Sequence, residues 1–122
     1  MSEISTTTPT ILSRIQSHLR GETSVAPVAA LIGFKLTAIA PGEATITLAA
    51  GPQHANPMGT LHGGILCDIA DAAMGLAYAS NLAEGETFTT LELKINFLKP
   101  VWNGTLTAVG KVLKQRSYRR PD

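Results

Sequence analysis

The sequence predicts a single α+β domain with an antiparallel sheet around one long helix, and three observations lead to this fold class. Residues 65–82 are rich in Ala, Leu, Ile and Met and predict the long helix. Residues 43–50 and 89–99 alternate apolar and polar side chains with the period of two that is typical of strands. The 122 residues suffice for one hydrophobic core and give no reason to expect a second.

The N-terminal part of the chain predicts a short amphipathic helix over residues 9–20. One face of this helix would carry four apolar residues, namely Ile11, Leu12, Ile15 and Leu19. Thr8 suits the N-cap, Pro9 the first turn and Gly21 the stop. We therefore expect residues 1–30 to form an N-terminal segment with this helix, and residues 31–122 to form the main domain.

Turn residues divide the next region into two predicted strands. Residues 31–40 and 43–50 are expected to be extended, and Pro41-Gly42 between them is typical of a tight turn. A hairpin is therefore predicted. Residues 21–27 and 51–64 are predicted to be loops. The second of these stretches contains four Gly, two Pro and two His.

The long helix is apolar on nearly every side, so it must be covered, and a curved sheet is the natural covering in a chain of this size. After it, residues 89–99 form the clearest predicted strand, with four apolar residues on one face, namely Leu91, Leu93, Ile95 and Phe97. Asn103-Gly104 signals a hairpin, and residues 106–112 continue as a following strand. The predicted order is helix, strand, strand, long helix, strand, strand.

Composition argues against several classes of function. A net charge of +1 and 5% aromatic residues do not support a nucleic-acid surface. The sequence has no Walker or dinucleotide phosphate motif and no zinc spacing, so we expect no cofactor and no metal. The single cysteine, Cys67, suits a reducing compartment, and residues 1–10 do not resemble a signal peptide. With two Asp in residues 65–82 as well, we expect a cytoplasmic protein without a membrane span.

The loop before the long helix holds the densest collection of residues that carry chemistry. Residues 56–64 read Asn-Pro-Met-Gly-Thr-Leu-His-Gly-Gly. Two glycines at a helix start allow a ligand to approach the backbone, and the N–H groups of the first turn have no intrahelical partner. Because the helix dipole favours negative charge there, the N–H of Gly64 is a candidate donor to a polarised carbonyl oxygen. The alternative is that Gly63-Gly64 is only a flexible loop end.

Two carboxylates, Asp68 and Asp71, lie three residues apart on neighbouring parts of one face of the apolar helix. An isolated buried carboxylate is costly, so each must be paired, exposed at an interface or functional. A carboxylate near an activated carbonyl can act as general base to water or attack directly. Alternatively, one or both only solvate the surface, which is favoured more for Asp68 than for Asp71.

Histidine and cysteine leave other interpretations open. His62 could donate a hydrogen bond or hold the loop, and both roles are commoner than catalysis for a lone histidine. His54 is interpreted as a loop residue without an assigned role, and His18 as a residue at the border of the first helix. Cys67 paired with a histidine would give a nucleophilic enzyme, but a free cysteine in an apolar helix usually behaves as a small hydrophobe.

These residues resemble the PaaI-like thioesterases of the hotdog superfamily, which are similar to phenylacetyl-CoA thioesterase. The resemblance covers about residues 31–114 and rests on Asn56, Gly59-Thr60-Leu61-His62-Gly63-Gly64, Asp71 and the strand that ends in Asn96-Phe97-Leu98-Lys99-Pro100. It implies a hotdog fold, in which an antiparallel sheet wraps around one long central helix. It also implies that two subunits pair their sheets, with each active site at the subunit interface.

The resemblance implies catalytic roles for five residues. Asp71 is expected to be the catalytic carboxylate, and Gly64 the helix-start N–H donor. Asn56 and His62 are expected to position the thioester. A hydroxyl on the next strand, which orients water in some members of the family, falls at Thr90.

The resemblance also implies how the substrate lies. Thr89 takes the role of the hydroxyl residue if the strand register slips by one, and Gly63 and Leu61 are expected to contact the substrate. Asp71 of one subunit would act on a thioester held by the helix start of the other. The basic residues from Lys94 onward could meet the phosphates of CoA.

The C-terminal sequence departs from the family pattern. Family members continue after the strand at residues 106–112 with two further strands that complete the sheet. Here residues 115–122 are basic, lack strand alternation and end just after a proline. We therefore expect a domain truncated at its C-terminus, without the last strands, in which one helix face and one sheet edge are uncovered.

Three functions follow from these expectations. The first is an acyl-CoA thioesterase, a homodimer or homotetramer that hydrolyses an aromatic or medium-chain acyl-CoA. The second is a truncated, non-catalytic hotdog protein that binds acyl-CoA or a partner subunit. A hotdog dehydratase or hydratase ranks last, because the helix that carries Asp71 offers no histidine to face it.

Overall fold

Two short helices, a strand pair, a long helix and a further strand follow one another in a computed structural model that describes residues 10–21 and 26–116. The described elements are α1 (Ile11–Leu19), α2 (Pro27–Ile32), β1 (Lys35–Ala40), β2 (Glu43–Ala50), a short 3-10 helix (Pro52–His54), α3 (Gly63–Ala79) and β3 (Gly104–Lys111). This architecture is the predicted α+β class. No helix within the described ranges is both long and apolar enough to cross a membrane.

The described strands form an antiparallel sheet in the order β1-β2-β3. The predicted hairpin of β1 and β2 is confirmed, with Ala40 opposite Glu43 and Pro41-Gly42 as its turn. Gly42 has a φ of +77°, a conformation that glycine adopts without strain. β2 then pairs along its whole length with β3, so both of its edges are hydrogen-bonded.

Helix α3 lies across β2 and β3, and the core fills the space between them. The buried core residues are Ala29, Phe34, Ile46, Leu48, Ile69 and Ala73. Gly110 of β3 sits directly beneath the helix, and a Cβ at this position would overlap the carbonyl oxygen of Ala73. Only glycine therefore lets this strand approach the helix backbone so closely.

The N-terminal helix is confirmed, and its cap is Thr10, whose Oγ1 accepts a hydrogen bond of 3.0 Å from the N–H of Ser13. The predicted cap, Thr8, lies outside the described residues. The loop predicted for residues 21–27 is wrong at Pro27, where α2 begins, and the strand predicted from Leu31 begins only at Lys35, because α2 extends to Ile32. Pro27 at its first position and Gly33 at its end, with a φ of +97°, supply the start and stop signals of this short helix.

The long helix is confirmed, but it begins two residues earlier than predicted and ends three residues earlier, at Ala79. Its end is fixed to the hairpin turn by Ser80, a buried residue that follows it. Ser80 Oγ accepts a hydrogen bond of 2.7 Å from the N–H of Gly42 and donates one of 2.7 Å to the carbonyl of Ala77.

Residues 82–103, called the outer segment here, contain neither helix nor strand. The predicted strand at residues 89–99 is therefore wrong, and so is the hairpin at Asn103-Gly104. The apolar side chains of this stretch are not covered within the described part of the chain: Leu91 is 94% exposed and Phe97 56% exposed. No described strand runs beside it, so its backbone lacks the hydrogen-bond ladder that defines a strand.

Candidate active site

The start of α3 is organised by His62. This residue is the N-cap of the helix, and its Nδ1 accepts a hydrogen bond of 2.9 Å from the N–H of Gly64. Its own backbone N–H donates to the carbonyl of His54 at 2.8 Å. His62 therefore occupies the N–H that was predicted to meet a substrate oxygen. Within the described residues, the N–H of Gly63, one position earlier, has no such acceptor.

Asn56 holds the loop that precedes the helix. Its Oδ1 accepts hydrogen bonds from the N–H groups of Met58 at 3.0 Å and Thr60 at 3.2 Å. Its Nδ2 donates to Thr60 Oγ1 at 2.7 Å. Both ends of the amide thus make hydrogen bonds within residues 56–60. Contact between Asn56 and a substrate remains a prediction.

His54, for which no role was predicted, anchors the same loop. Its ring is buried, Nδ1 accepts from the N–H of Gly51 at 3.1 Å, and Nε2 lies 2.7 Å from the carbonyl oxygen of Ile32. This pair of partners fits a neutral imidazole with its proton on Nε2. Periodicity carries no signal for such a residue, because both partners are backbone groups brought near by the fold.

Asp71 and Thr90, which were each expected to have a catalytic role, are in contact. Thr90 Oγ1 donates a hydrogen bond of 2.7 Å to Asp71 Oδ1. Both residues are exposed, so the carboxylate is open to solvent and to a ligand. The structure pairs Thr90 with this carboxylate and gives Thr89 no such contact. Asp68 is also exposed on α3 and has no hydrogen-bond partner among the described residues.

Two other predicted substrate contacts differ in accessibility. The ring of Phe97 lies over Gly63, where a Cβ would come within 3.0 Å of it. The side chain of Leu61 is buried, and its N–H donates to the carbonyl of Val101 at 2.6 Å. Gly63 is thus placed beside an apolar ring, whereas Leu61 offers little surface to a ligand.

The helix start and the carboxylate are two separate groups on one side of α3, called the two candidate half-sites here. Gly64 and Asp71 are seven residues apart, which is two turns of helix or about 10 Å along the axis. Residues at this spacing share a helix face. A water or carboxylate must come within about 3–3.5 Å of the carbonyl carbon that it attacks. One copy of α3 therefore carries both groups, but they are too far apart to act on the same carbonyl group.

The alternative chemistries receive no support from the described residues. Cys67 is half-buried within α3, as expected for a small hydrophobe. No cluster of three or more His, Cys, Asp or Glu side chains suited to a metal occurs in residues 10–21 and 26–116.

Comparison with known proteins decides the family. A family model described as the thioesterase superfamily matches residues 58–119, which includes α3, the outer segment and β3. The chain belongs to the thioesterase superfamily. The match contains the glycine pair, Asp71 and Thr90, so both half-sites fall within it.

Similar proteins support the same assignment. A protein named as a candidate esterase in Saccharolobus solfataricus is 36% identical over 86 residues, which is 70% of this chain and 61% of the relative's length. The phenylacetic acid degradation-related protein of Ralstonia eutropha has a similar structure, with a TM-score of 0.74 and 27% identity, covering 83% of this chain and 78% of the other. The PaaI protein of the E. coli phenylacetic acid degradation operon gives 0.70 and 28%, covering 86% and 73%. The fold is therefore the predicted hotdog fold.

Proposed function

We propose that this thioesterase-superfamily protein hydrolyses an acyl-CoA thioester, with Asp71 as the catalytic carboxylate. The observation that carries the proposal is the hydrogen bond from Thr90 to an exposed Asp71, on the helix whose first turn begins with two glycines. A carboxylate that is oriented but still open to solvent is suited to activate water or to attack an acyl carbon.

The reaction divides between the two half-sites. The carbonyl oxygen of the thioester accepts a hydrogen bond from the helix start, which stabilises the negative charge as the tetrahedral intermediate forms. Asp71 takes a proton from water while the water oxygen bonds to the acyl carbon. The C–S bond then breaks, and the thiolate leaves as the thiol with that proton. If Asp71 attacks directly, the C–S bond breaks as an acyl–aspartate anhydride forms, and the thiolate leaves and takes a proton from solvent. Water then cleaves the anhydride to the free acid and the Asp71 carboxylate. The same placement of Asp71 serves both routes.

Gly64 remains the proposed N–H donor. The side chain of His62 must move before this N–H can donate to a substrate. The Nδ1 of His62 accepts from this N–H at 2.9 Å, so the imidazole must turn away for a carbonyl oxygen to replace it. Because Gly63 precedes Gly64 in the same first turn, its N–H is a second donor within reach of the same oxygen.

The site is proposed to form between two copies of the chain. A two-fold axis beside α3 would bring Asp71 of one copy opposite Gly64 of the other, since the half-sites lie two turns apart on one face. The exposed apolar side chains of the outer segment, Leu91 and Phe97 among them, support an interface on this side. The phosphates of CoA are proposed to meet basic residues at or after Lys94.

The test is thiol release from a panel of acyl-CoA substrates, with Asp71→Asn beside Asp68→Asn as its matched control. Both substitutions remove one charge from an exposed position of α3, but only Asp71 contacts Thr90. The proposal expects turnover to be lost in Asp71→Asn and kept in Asp68→Asn. Equal activity in both variants would exclude Asp71 as the catalytic carboxylate.

The shared site is tested by mixing two inactive variants. Gly64→Pro removes the donor N–H in a helix turn where proline is tolerated. Gly64→Ala keeps the N–H, and its Cβ would come within 3.0 Å of the His62 ring, which the proposal already requires to turn away. Gly64→Pro is expected to be inactive and Gly64→Ala active. Refolding Gly64→Pro with Asp71→Asn should restore about a quarter of wild-type turnover, because half of the dimers are mixed and one of their two sites is intact. No recovery would place both groups in one subunit.

The second candidate, a non-catalytic protein that binds acyl-CoA or a partner subunit, is supported by one observation. Leu91 and Leu98 of the outer segment are 94% and 92% exposed in the described structure, which favours a surface that another chain covers. A pure, folded protein that binds acyl-CoA without releasing thiol would support this candidate over the thioesterase.

A further inference from the structure

Two polar residues of the described chain are buried, and they lie at opposite ends of α3. His54 is 4% exposed and contacts the residue from which the helix starts, whereas Ser80 is 6% exposed and follows the last residue of the helix. A polar side chain is costly to bury unless it is hydrogen-bonded. Each of the two side chains makes two hydrogen bonds, all of them to backbone atoms. Each therefore fixes one stretch of backbone relative to another.

The ring of His54 joins the loop before α3 to the end of α2. Its Nδ1 accepts a hydrogen bond of 3.1 Å from the N–H of Gly51, and its Nε2 lies 2.7 Å from the carbonyl oxygen of Ile32, the last residue of α2. A neutral ring with its proton on Nε2 satisfies both partners at once. Because Ile32 is 22 residues from His54 in the chain, this bond is a tertiary link between two elements.

The backbone of His54 forms the base of the loop that leads into α3. Its carbonyl accepts a hydrogen bond of 2.8 Å from the N–H of His62. Ala55 and Leu61, the next residues inwards, form an antiparallel bridge. His62 is the N-cap of α3, so the residue that His54 holds is the one from which the helix starts. The position of the first turn therefore depends on the position of His54.

The N–H groups of the helix-start half-site follow directly after this base. They belong to Gly63 and Gly64, the first two residues of α3. Glycine adopts a wider range of backbone conformations than other residues, so the direction of these N–H groups depends strongly on how the chain before them is held. A donor stabilises an oxyanion when it lies about 2.7–3.1 Å from that oxygen. A small displacement of the loop base would therefore weaken the stabilisation without removing any reacting group.

We propose that His54 is a positioning residue: by tying the loop base to α2, it fixes the direction in which the N–H groups of Gly63 and Gly64 point. The inference rests on the proposed thioesterase function and adds to it a buried residue that does not touch the substrate. The bond to Ile32 accounts for most of the effect, since Gly51 is three residues from His54 and moves with the same loop.

Three substitutions of His54 separate its two hydrogen bonds. The amide nitrogen of Gln reaches about as far as Nε2, so His54→Gln keeps the donor to Ile32. The amide oxygen of Asn lies about where Nδ1 lies, so His54→Asn keeps the acceptor for Gly51. His54→Phe keeps a ring of similar shape and neither bond. Ser80→Ala is the matched control, because it removes two hydrogen bonds of a buried side chain at the other end of α3.

The experiment measures kcat and KM per folded molecule with the best substrate of the acyl-CoA panel. We expect His54→Phe to lower kcat about 10- to 100-fold and to leave KM within about threefold, since an oxyanion donor acts chiefly on the transition state. His54→Gln should keep kcat within about threefold of wild type, because its bond to Ile32 remains, and His54→Asn should keep less. Ser80→Ala should lower the urea midpoint and leave kcat unchanged.

Two results would overturn the inference. One is a folded His54→Phe variant with the kcat of the wild type, and the other is an equal loss of kcat in Ser80→Ala. If His54→Phe does not fold, the comparison of His54→Gln with His54→Asn decides. A higher kcat in His54→Gln supports the link to Ile32, whereas an equal or higher kcat in His54→Asn overturns it.

A wild type without turnover on any acyl-CoA would instead overturn the proposed function, and NMR then tests the positioning by itself. The amide resonances of Gly63 and Gly64 in isotope-labelled protein report the backbone conformation and hydrogen bonding of the helix start. These resonances should shift in His54→Phe, return towards wild type in His54→Gln and stay in place in Ser80→Ala. Identical resonances in the wild type and His54→Phe would overturn the role of His54.

Discussion

The two sides of α3 differ in what holds their neighbours in place. On one side, Ile69, Ala73 and Ala77 are buried against a sheet whose strands are fixed by continuous hydrogen bonding. On the other, Asp71 and Met74 are exposed and face an outer segment without such a ladder. The first side contributes to stability, and the second carries the candidate site. Substitutions on the sheet side should therefore change the free energy of unfolding, and those on the outer side should change turnover.

The largest expected effect is at Asp71. Asp71→Asn should lower kcat by about 100-fold or more, because the amide cannot accept a proton from water or attack the thioester. The free energy of unfolding should stay within about 0.5 kcal/mol of wild type, since the side chain is exposed. Steady-state kinetics and urea unfolding measure the two quantities. If Asp71→Asn lost stability as well as activity, the outer side of α3 would not be separate from the sheet side in its effect on stability.

A substitution at Gly110, on the sheet side, is expected to have the opposite effect, with stability lowered and turnover unchanged. Gly110→Ala should lower the free energy of unfolding by about 1–3 kcal/mol, because the added methyl group forces α3 away from β3. Gly51→Ala is the control, since a Cβ there meets only the flexible side chain of Gln53. Turnover per folded molecule should be unchanged in both. Urea midpoints that coincide for the two variants would contradict the close approach of helix and strand.

Substitution of Thr90 tests how much the outer segment contributes to the candidate site. Thr90→Val keeps the shape of the side chain and removes the hydroxyl that donates to Asp71, so kcat should fall about tenfold, the typical worth of one such hydrogen bond. Thr89→Val, its neighbour in sequence, should remain within about twofold. A larger loss in Thr89→Val would show that the register in the active assembly is shifted by one residue.

The smallest effect is expected for the ion pair between α1 and the outer segment. Arg14 and Glu84 are 3.5 Å apart, and both side chains are more than half exposed. Replacing both, with the two single variants completing a double-mutant cycle, should give a coupling energy below about 1 kcal/mol. A stronger coupling would mean that the outer segment is held more firmly than its lack of a ladder indicates.

The sequence allowed the sheet side of the molecule to be predicted better than the outer side. Alternation predicted β2, Pro41-Gly42 predicted its hairpin with β1, and a composition rich in Ala, Leu, Ile and Met predicted α3. The same alternation at residues 89–99 failed, because it describes where side chains point and says nothing about whether a neighbouring strand is present. α2 was missed because six residues are too few for a helical period to stand out from a loop.

At the candidate site, the sequence selected two residues that the structure brings into contact, but it did not predict the contacts within the loop before α3. The resemblance selected Asp71 and Thr90, and the structure brings them within 2.7 Å. It did not reveal that Asn56 is engaged by its own loop, or that His62 occupies the N–H of Gly64. Such contacts depend on local backbone geometry, which one sequence does not specify. His54 escaped prediction for the same reason.

The pairing of β2 with β3 also affects how the chain folds while it is synthesised on the ribosome. These two strands are separated in the chain by α3 and the outer segment, so β2 leaves the exit tunnel well before its partner exists. At synthesis rates of about 5–20 residues per second, the apolar face of α3 is exposed for several seconds before β3 can cover it. During that interval the nascent chain presents a ready substrate for a chaperone, and its yield in a cell should respond to chaperone supply.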